Sequence, residues 1–308
     1  MLMASALATM AHSRPSLPFI RGANVGSYFV PERWMAPSFY SGTQASSLCE
    51  LVRYNRSLAD ERMRQHLESF VVEEDFAWLA ERGFNAVRVP VGYWNAVGAA
   101  GGIPYVPASP SMSFTYLDRL FEWGRKHGLA VLLDLHGAPG SQNGADHSGC
   151  DSDGVGWHGD ASVKLSLAAV ETFSRRYAPH PSFLGIELMN EPGWAVEWDH
   201  GQLLEYYTRA HALIQAASPS ALVVFNVLFW DDFPVCCPLH RHHRPSARAR
   251  ARAHVAPSLT RTRSLGCRPA SATGGTASSC CRMWCSTCTC TIALARLRSA
   301  PSPSISIR

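Results

Sequence analysis

A short polar run, Asn190-Glu191-Pro192, follows an apolar stretch of the chain and carries the side chain best suited to acid–base chemistry. A carboxyl group that closes a buried strand and is stiffened by a following proline suits a general acid held in a cleft. Asn190, directly before it, can donate a hydrogen bond to a substrate hydroxyl beside the reacting centre. The same three residues can equally form an ordinary polar strand end.

Three further polar side chains follow or interrupt apolar runs. Arg88 can keep a catalytic carboxylate ionised by charge pairing, or it can form an interior salt bridge. His136 can orient a substrate or a carboxylate, or it can be structural. Glu187 lies four residues before Glu191, on the same face of a strand but deeper, which predicts an interior ion pair.

The elements that must position these side chains alternate between strands and helices. Five near-continuous apolar runs are typical of strands in a parallel sheet buried on both faces, and they are Phe19–Val25, Asn85–Val91, Ala130–His136, Phe183–Met189 and Ala221–Leu228. Four segments of helical period lie between or before them, at 71–83, 117–128, 163–177 and 203–214. Gly83 and Gly128 end the first two as helix stop signals.

This alternation fits two architectures, a doubly wound sheet and a (β/α)8 barrel. No G-x-G-x-x-G follows any of the runs, so a dinucleotide-binding fold loses its main support. Polar side chains stand at the ends of successive runs, and Asn226 lies inside the fifth, which is the arrangement of barrel enzymes. The sequence therefore predicts an α/β protein, a (β/α)8 TIM barrel truncated to about five βα units, over residues 19–233.

Composition bounds the class of protein. Of the 308 residues 46% are hydrophobic and 17% charged, which is enough for a packed core and excludes disorder throughout the chain. No apolar run reaches the roughly 18 residues that a membrane-spanning helix needs, so we expect no membrane span. Residues 1–18 form an apolar N-terminal segment, which is either a clipped signal peptide or an ordinary start of the chain.

The composition changes abruptly near residue 234. All 24 Asp and Glu lie at or before Asp232, whereas residues 234–308 hold 12 of the 28 Lys and Arg, every one an Arg, and eight of the ten Cys. The first 233 residues therefore have a formal net charge of 16 − 24 = −8, and the last 75 residues have a formal net charge of +12. This Arg/Cys/Ser/Pro-rich tail lacks Phe and Tyr and any amphipathic pattern, so we expect a disordered segment unlike a native domain.

Three interpretations of the tail are open. The basic run at 247–254 could be a nucleic-acid arm, and the single C-x-x-C of Cys285 and Cys288 could belong to a zinc module, although one such pair is a weak signal. The third is a frameshift or a misjoined exon near residue 234. Shifting the codons of 283–291 by two bases forces the pattern Val-Val-(Leu/Phe)-x-aliphatic-(His/Tyr)-aliphatic-(His/Tyr), with x Asp, Asn, His or Tyr, if Ser286 uses a TCN codon. That pattern describes a buried strand, and we favour this interpretation.

Aromatic residues near the predicted strand ends favour a carbohydrate cleft, because flat rings stack on sugar faces. The six are Trp34, Tyr93, Trp94, Trp157, Trp194 and Trp198. Each of them alone can equally be packing in the core or at its rim, and their clustering is the informative feature.

Four ordered motifs resemble glycoside hydrolase family 5, and H-G-A-P-G-S-Q-N-G is similar to its exo-1,3-β-glucanase subfamily in particular. The motifs lie at 21–40, 83–94, 131–144 and 185–192, and the resemblance covers roughly residues 19–233. It implies a retaining (β/α)8 glycosidase with two glutamates and with neither a metal nor a cofactor.

The resemblance also implies roles for seven residues. Glu191 is the expected acid/base. Arg88, His136 and Asn190 are expected around the cleaved sugar. Asn143 is expected to bind substrate as well. Glu32 and Asp146 match positions that help to hold the terminal glucosyl unit.

Departures from the family accompany this resemblance. Ala145 replaces the usual aromatic residue and His147 the usual Asn, while Arg33 replaces the proline of Glu-Pro-Trp. The nucleophilic carboxylate, which the family supplies from its seventh strand, is absent because no Asp or Glu follows Asp232. The shifted-frame pattern matches the D-x-H-x-Y run of the family's sixth strand, which supports the frameshift interpretation.

The expected function is hydrolysis of O-glycosyl bonds in β-glucans by double displacement, of the exo-1,3-β-glucosidase type, with this chain inactive because its nucleophile is missing. One alternative is a non-catalytic glucan-binding barrel, and another makes the tail a nucleic-acid module. We expect a β-glucan partner, no nucleic-acid partner, a monomer, and an extracellular or cell-surface location, to which the glycosylation sequon at 55–57 adds weak support.

Overall fold

Parallel strands in sequential order form the centre of the molecule. The computed structural model describes residues 19–98, 110–150, 154–193 and 200–226. Its strands are β1 (Gly22–Asn24), β2 (Ala86–Gly92), β3 (Ala130–Gly137), β4 (Phe183–Glu187) and β5 (Leu222–Val224). They pair in the order β1-β2-β3-β4-β5, every neighbouring pair parallel.

Helices connect the strands. Seven α-helices lie within the described ranges, and they are α1 (Leu48–Tyr54), α2 (Arg56–Ser69), α3 (Glu73–Glu81), α4 (Trp94–Val97), α5 (Pro110–His127), α6 (Gly159–Tyr177) and α7 (His200–Ala217). Short 3-10 turns occur at Pro37–Tyr40 and Asp146–Ser148. None of the helices in the described ranges combines the length and hydropathy that a bilayer crossing requires.

The strand order decides between the two predicted architectures. A doubly wound sheet reverses its strand order at a switch point, whereas a (β/α)8 barrel adds each strand beside the previous one. The described sheet has the second order, with no reversal among its five strands. The α/β barrel prediction, with five βα units, is therefore confirmed for the described part of the chain.

All five predicted strands and all four predicted helices exist. Strand β2 is buried on both faces, as a parallel barrel strand requires: Val87, Val89 and Val91 on one face are at most 1% exposed, and Ala86 and Pro90 on the other face are also buried. Helix α3 ends two residues before Gly83, and α5 ends at the residue before Gly128; both glycines have positive φ, at 78° and 71°. These glycines act as the stop signals that the sequence predicts.

Two expectations about the strands are corrected. Asn226 does not lie inside the fifth strand, because β5 ends at Val224. Its side chain donates to the carbonyl oxygen of Met189 at 2.8 Å, and its own carbonyl accepts from the Tyr207 hydroxyl at 2.8 Å. These contacts replace the strand ladder. The first strand is also shorter than predicted, and Phe19 is 66% exposed.

Helices α1 and α2 were not predicted from the periodicity. The buried residues of α2 are Ala59, Met63, His66 and Leu67, which form a narrow stripe on an otherwise polar helix. Asn55 begins α2 as its N-cap, accepting a hydrogen bond from Leu58 N at 3.0 Å.

The predicted tail at 234–308 and the N-terminal segment at 1–18 lie outside the described residues. The expectations about a frameshift, a nucleic-acid arm and a signal peptide therefore concern those parts of the chain.

Candidate active site

Strands β2, β3 and β4 and the turn after β4 bring three of the predicted polar residues, Arg88, Glu187 and Asn190, into one network with Asp134. Arg88 on β2 forms two parallel bonds to Glu187 on β4, Nε to Oε2 at 2.7 Å and Nη2 to Oε1 at 2.9 Å. Nη2 also donates to Asn190 Oδ1 at 2.9 Å. Asp134 Oδ2 on β3 lies 2.9 Å from the same nitrogen. The interior salt-bridge interpretation of Arg88 and Glu187 is confirmed.

Asp134 and His136 form a second part of this network. They lie two residues apart on β3, so both side chains project from one face of the strand. Nδ1 of His136 is 2.6 Å from Asp134 Oδ2, which also forms an ion pair with Arg88 Nη2 at 2.9 Å. An ionised Asp134 can only accept, so beside it Nδ1 of His136 carries the hydrogen and Nε2 keeps its lone pair.

Burial controls the ionisation of this pair. It lowers the pKa of His136 to about 3, helped by the positive charge of Arg88, so the imidazole is neutral over the ordinary pH range. Burial also raises the pKa of Asp134, and the adjacent Arg88 opposes that rise. A neutral imidazole with a free lone pair can accept a hydrogen bond from a substrate hydroxyl.

Glu191 lies four residues beyond the end of β4, in a backbone conformation that is rare for a residue with a side chain. Its φ is +43°, in the left-handed region. Its carbonyl oxygen accepts from Asn143 Nδ2 at 3.1 Å, and Gly193 N donates to the carbonyl of Gln142 at 3.1 Å. These bonds hold the turn, and they leave the Glu191 carboxylate 40% exposed.

His147 is the group in contact with that carboxylate. Nε2 of His147 lies 3.3 Å from Glu191 Oε2 and 2.7 Å from Asn143 Nδ2. The hydrogen bond from His147 lowers the pKa of the Glu191 carboxyl, while burial acts in the opposite direction. Burial lowers the pKa of His147, but the hydrogen bond and charge of Glu191 outweigh it, and the net pKa is raised.

Glu32 and Asp146 flank this centre. Glu32 is buried, and its Oε2 accepts from the Trp34 indole at 2.8 Å. Its charge raises the pKa of both His136 and His147, against larger opposing effects of burial. Asp146 accepts from the backbone N–H of His147 at 2.9 Å. The structure thus brings all seven predicted site residues to the end of the sheet where the strands finish.

The predicted aromatic residues separate into two groups. Tyr93, Trp94 and Trp157 are at most 2% exposed, so they are core residues. Trp34 is 65% exposed and offers a free ring face beside Glu32. The other two, Trp194 and Trp198, lie outside the described residues.

Sequence reasoning did not single out Asp134 or Gln142. Gln142 donates through Nε2 to the carbonyls of His136, at 2.7 Å, and Asn190, at 2.9 Å, and so joins the ends of β3 and β4. The D-L-H run of β3 was a usable signal for Asp134, because alternate residues of a strand share a face. Gln142 had no such signal, since its role depends on where the loop folds back.

A disulfide also went unpredicted. Cys49 of α1 and Cys150 are bonded, and Cys49 N donates to the Gly149 carbonyl at 2.9 Å. The bond ties the loop that carries Asp146 and His147 to α1. Within the described ranges no cluster of three or more His, Cys, Asp or Glu side chains is arranged to hold a metal ion.

Solved structures with a similar fold agree with a barrel. The rutinosidase from Aspergillus niger superposes with a TM-score of 0.60 at 19% identity, covering 68% of this chain and 62% of that one. A structure described as AoRut superposes with a TM-score of 0.60 at 20% identity, and the match covers 69% of this chain and 63% of that one. At such identities the likeness shows the fold.

Curated relatives are more similar in sequence. The probable glucan 1,3-β-glucosidase A of Emericella nidulans is 37% identical over 225 residues, which are 70% of this chain and 54% of the relative. The probable glucan 1,3-β-glucosidase A of Aspergillus niger is 38% identical over 224 residues, which are 70% of this chain and 52% of the relative. The glucan 1,3-β-glucosidase of Blumeria graminis is 35% identical over 226 residues, 70% and 51%. The chain spans about half the length of these relatives.

The family comparison covers most of the site and four of the five described strands. Residues 61–241 match the family described as Cellulase (glycosyl hydrolase family 5), a range that includes Arg88, His136, Asn190 and Glu191. The match spans more than half of the 308 residues, and the chain belongs to glycosyl hydrolase family 5.

Proposed function

We propose that this chain carries the sugar-binding residues and the acid/base group of a retaining β-glucan hydrolase of the exo-1,3-β-glucosidase type. The observation that carries the proposal is the position of Glu191. It is a half-exposed carboxylate beyond the end of β4, next to the buried network of Arg88, His136 and Asn190. The names of the curated relatives support the 1,3-β-linkage.

The proposed roles follow from the chemistry of each group. Glu191 protonates the leaving oxygen and later takes a proton from the attacking water. Asn190, held by Arg88, donates from its amide to a hydroxyl of the cleaved sugar. His136 accepts from another hydroxyl through Nε2. Glu32 binds the hydroxyls of the terminal glucosyl unit.

The loop residues Asn143 and Asp146 complete the proposed binding surface. Asn143 holds the turn of Glu191 through its amide, and it contributes to binding by keeping that turn in place. Asp146 is 34% exposed and accepts from the backbone of His147, which leaves its carboxylate able to accept from a sugar hydroxyl.

A retaining mechanism also needs a nucleophilic carboxylate about 5–5.5 Å from the acid. The residues after Asp232 contain no Asp and no Glu, so the 308-residue polypeptide has no carboxylate in the position where the family places this group. We therefore propose that this polypeptide binds β-glucan without hydrolysing it at an enzymatic rate.

Two measurements on the full chain test the two parts of this proposal: calorimetry measures glucan binding, and a glucose assay measures hydrolysis. We expect saturable binding of laminarin, a soluble 1,3-β-glucan, no comparable binding of the α-glucan pullulan, and no release of glucose. Asn190→Ala removes a proposed sugar contact and should weaken laminarin binding, whereas Glu171→Gln, on the exposed face of α6, should leave it unchanged. Binding of both polymers alike would refute the assignment, and rapid glucose release would refute the inactivity.

The alternative is a barrel whose native role is to bind glucan without catalysis. The absence of acidic residues after Asp232 favours it. Sequencing the transcript over codons 225–308 distinguishes a hydrolase from a native glucan-binding protein. A second frame that encodes a D-x-H strand and then a glutamate-bearing strand supports the hydrolase and our proposal that the tail at 234–308 is frameshifted. Confirmation of the printed frame in mature message supports the binding protein.

We also propose an extracellular or cell-surface location. The Cys49–Cys150 disulfide supports it, because such bonds form and persist in oxidising compartments. Immunodetection of the native protein in culture medium and cell-wall fractions tests this proposal, and recovery only from the cytosol would refute it.

A further inference from the structure

His147 lies where the two loops of the site meet, and its ring nitrogen faces both a donor and an acceptor. Nε2 is 2.7 Å from Asn143 Nδ2 and 3.3 Å from Glu191 Oε2. The Asn143 amide has a defined orientation, because its Oδ1 accepts from Ala145 N at 3.0 Å and its Nδ2 donates to the Glu191 carbonyl at 3.1 Å. The amide therefore presents N–H, not oxygen, to His147.

One ring nitrogen cannot accept from Asn143 and donate to Glu191 at the same time. When Nε2 is unprotonated, its lone pair accepts the Asn143 N–H. When Nε2 carries a hydrogen, it donates to the Glu191 carboxylate instead. Whether Nε2 of His147 carries a hydrogen thus decides if the ring bonds to Glu191 or to Asn143.

His147 and Glu191 are each held in place by the backbone around them. His147 lies in a 3-10 turn that ends at Gly149, whose carbonyl accepts from Cys49, and the Cys49–Cys150 disulfide follows directly. The positive φ of Glu191 allows few alternative backbone positions. The separation of the imidazole and the carboxylate is therefore set by two constrained loops.

Charged and titratable groups face His147 from several elements. They are Glu191 after β4, Asp146 on the same 3-10 turn, Glu32 after β1, and His136 and Asp134 on β3, with Arg88 of β2 behind them. The ring centroids of His136 and His147 are 5.6 Å apart. Of the surrounding carboxylates, Glu191, Glu32 and Asp146 raise the pKa of His147, and Glu191 at 3.3 Å lies nearer to the ring than Asp146 at 3.9 Å.

We propose that His147 and Glu191 share one proton, so that His147 is a positioning residue that holds the proton which Glu191 uses. When Glu191 is ionised, His147 is an imidazolium that keeps one hydrogen on Nδ1 and the shared hydrogen on Nε2. Its transfer breaks the Nε2–H bond and forms an O–H bond on Glu191 Oε2, and the neutral imidazole then accepts from Asn143. Because the family usually has Asn at this position, the pair would be a property of this chain. The inference rests on the proposed acid/base role of Glu191.

Histidine NMR of the full chain tests the pair without any need for turnover. Long-range ¹H–¹⁵N spectra recorded from pH 4 to 9 report the titration midpoint of His147. We expect Glu191→Gln to lower that midpoint by about one unit or more, because it removes the nearest opposite charge. Asp146→Asn, which removes a carboxylate 3.9 Å from Nδ1, is the matched control and should produce a smaller change. Equal midpoints in the wild type and Glu191→Gln overturn the proposal.

The reciprocal variant gives an independent readout. In His147→Asn the side-chain ¹³C signal of Glu191 should titrate at higher pH than in the wild type, and an unchanged midpoint also overturns the proposal. The proposed function is measured separately by laminarin binding. Binding without coupled titration refutes the proton-sharing pair alone, while coupled titration without laminarin binding refutes the function alone.

Discussion

Arg88 and Glu187 join β2 to β4 across the intervening strand through two parallel N–H···O bonds of 2.7 and 2.9 Å. Glu187 is 4% exposed, and its neighbour Asp134 is fully buried. Buried charges are tolerated only when they are paired and hydrogen-bonded. This bidentate pair is therefore the centre on which Asn190 and, through it, the Glu191 turn depend.

We expect Glu187→Gln to destabilise the chain by about 3–5 kcal/mol, because it leaves Arg88 short of compensating charge in a buried position. Glu171→Gln is the control. It removes an exposed pair with Arg175 on α6 and should cost at most about 1 kcal/mol. Urea denaturation of both variants measures the difference in the free energy of unfolding. Equal effects in the two variants would contradict the role given to the buried pair.

Gly137, directly after His136, is required for close packing of Trp94. A methyl group there would lie 2.5 Å from Trp94 Cη2 and 2.9 Å from the Ser148 carbonyl. Because both neighbours are buried, we expect Gly137→Ala to lower the free energy of unfolding by about 1–3 kcal/mol and to weaken laminarin binding. Gly22→Ala, whose nearest contact would be 3.7 Å, should change neither quantity.

The Cys49–Cys150 disulfide closes a loop with a sequence separation of 101 residues. Its removal should lower the free energy of unfolding by about 2–5 kcal/mol, because the unfolded chain gains conformational freedom. Thermal unfolding with and without dithiothreitol measures this in the wild type. The double variant Cys49→Ser/Cys150→Ser should be insensitive to the reductant, and sensitivity in it would assign the effect to another of the ten cysteines.

The barrel could be predicted from the sequence because each strand is a local apolar run that the sheet buries on both faces. Strand ends were less predictable. Asn226 was placed inside β5, yet its amide and carbonyl bind Met189 and Tyr207 instead of extending the ladder. Contacts to residues distant in the sequence, which no local pattern contains, determine where that strand ends.

In the site, too, some features have a local signal in the sequence and others depend on contacts between distant residues. Glu191 and Asn190 could be found because they follow an apolar run, and His136 because it ends one. The contact between Glu191 and His147 depends on the positive φ of Glu191 and on a loop tied by Cys150. Neither the turn nor the disulfide has a local signature in the sequence, so the sequence could predict which side chains lie near the strand ends, Asp134 and Gln142 apart, but not how they pair.

His66 on α2 gives the chain a pH-dependent stability. Its Nε2–H donates to the Ser27 carbonyl at 2.8 Å, and its ring stacks on Phe70. Burial lowers its pKa to about 4, against a smaller effect of the bond to Ser27. The unfolded chain therefore binds a proton at higher pH than the folded chain does, and stability falls as the pH decreases through the window from about 6.5 to about 4.

The loss due to His66 should reach at most about 3 kcal/mol at the low end of that window. We expect His66→Gln, whose amide can still donate to Ser27, to show a shallower decline. Urea denaturation at pH 4.5, 5.5 and 7 for both proteins measures the contribution, since His136 and the carboxylates titrate alike in each. Parallel stability curves would show that burial of His66 is not the cause.

Trp34 is the described aromatic residue best placed to contact a sugar, because its ring is 65% exposed while its indole N–H binds Glu32. Contacts between aromatic rings contribute roughly 0.5–1.5 kcal/mol beyond their buried area, and for a sugar on the Trp34 ring a similar gain predicts that Trp34→Ala weakens laminarin binding about two- to twelvefold. Trp78→Ala is the matched control, since it removes a 44% exposed ring that stacks on Arg82 of its own segment. A similar loss in both variants would indicate general instability. Loss in Trp34→Ala alone would place the sugar beside Glu32 and extend the proposed cleft toward the loop after β1.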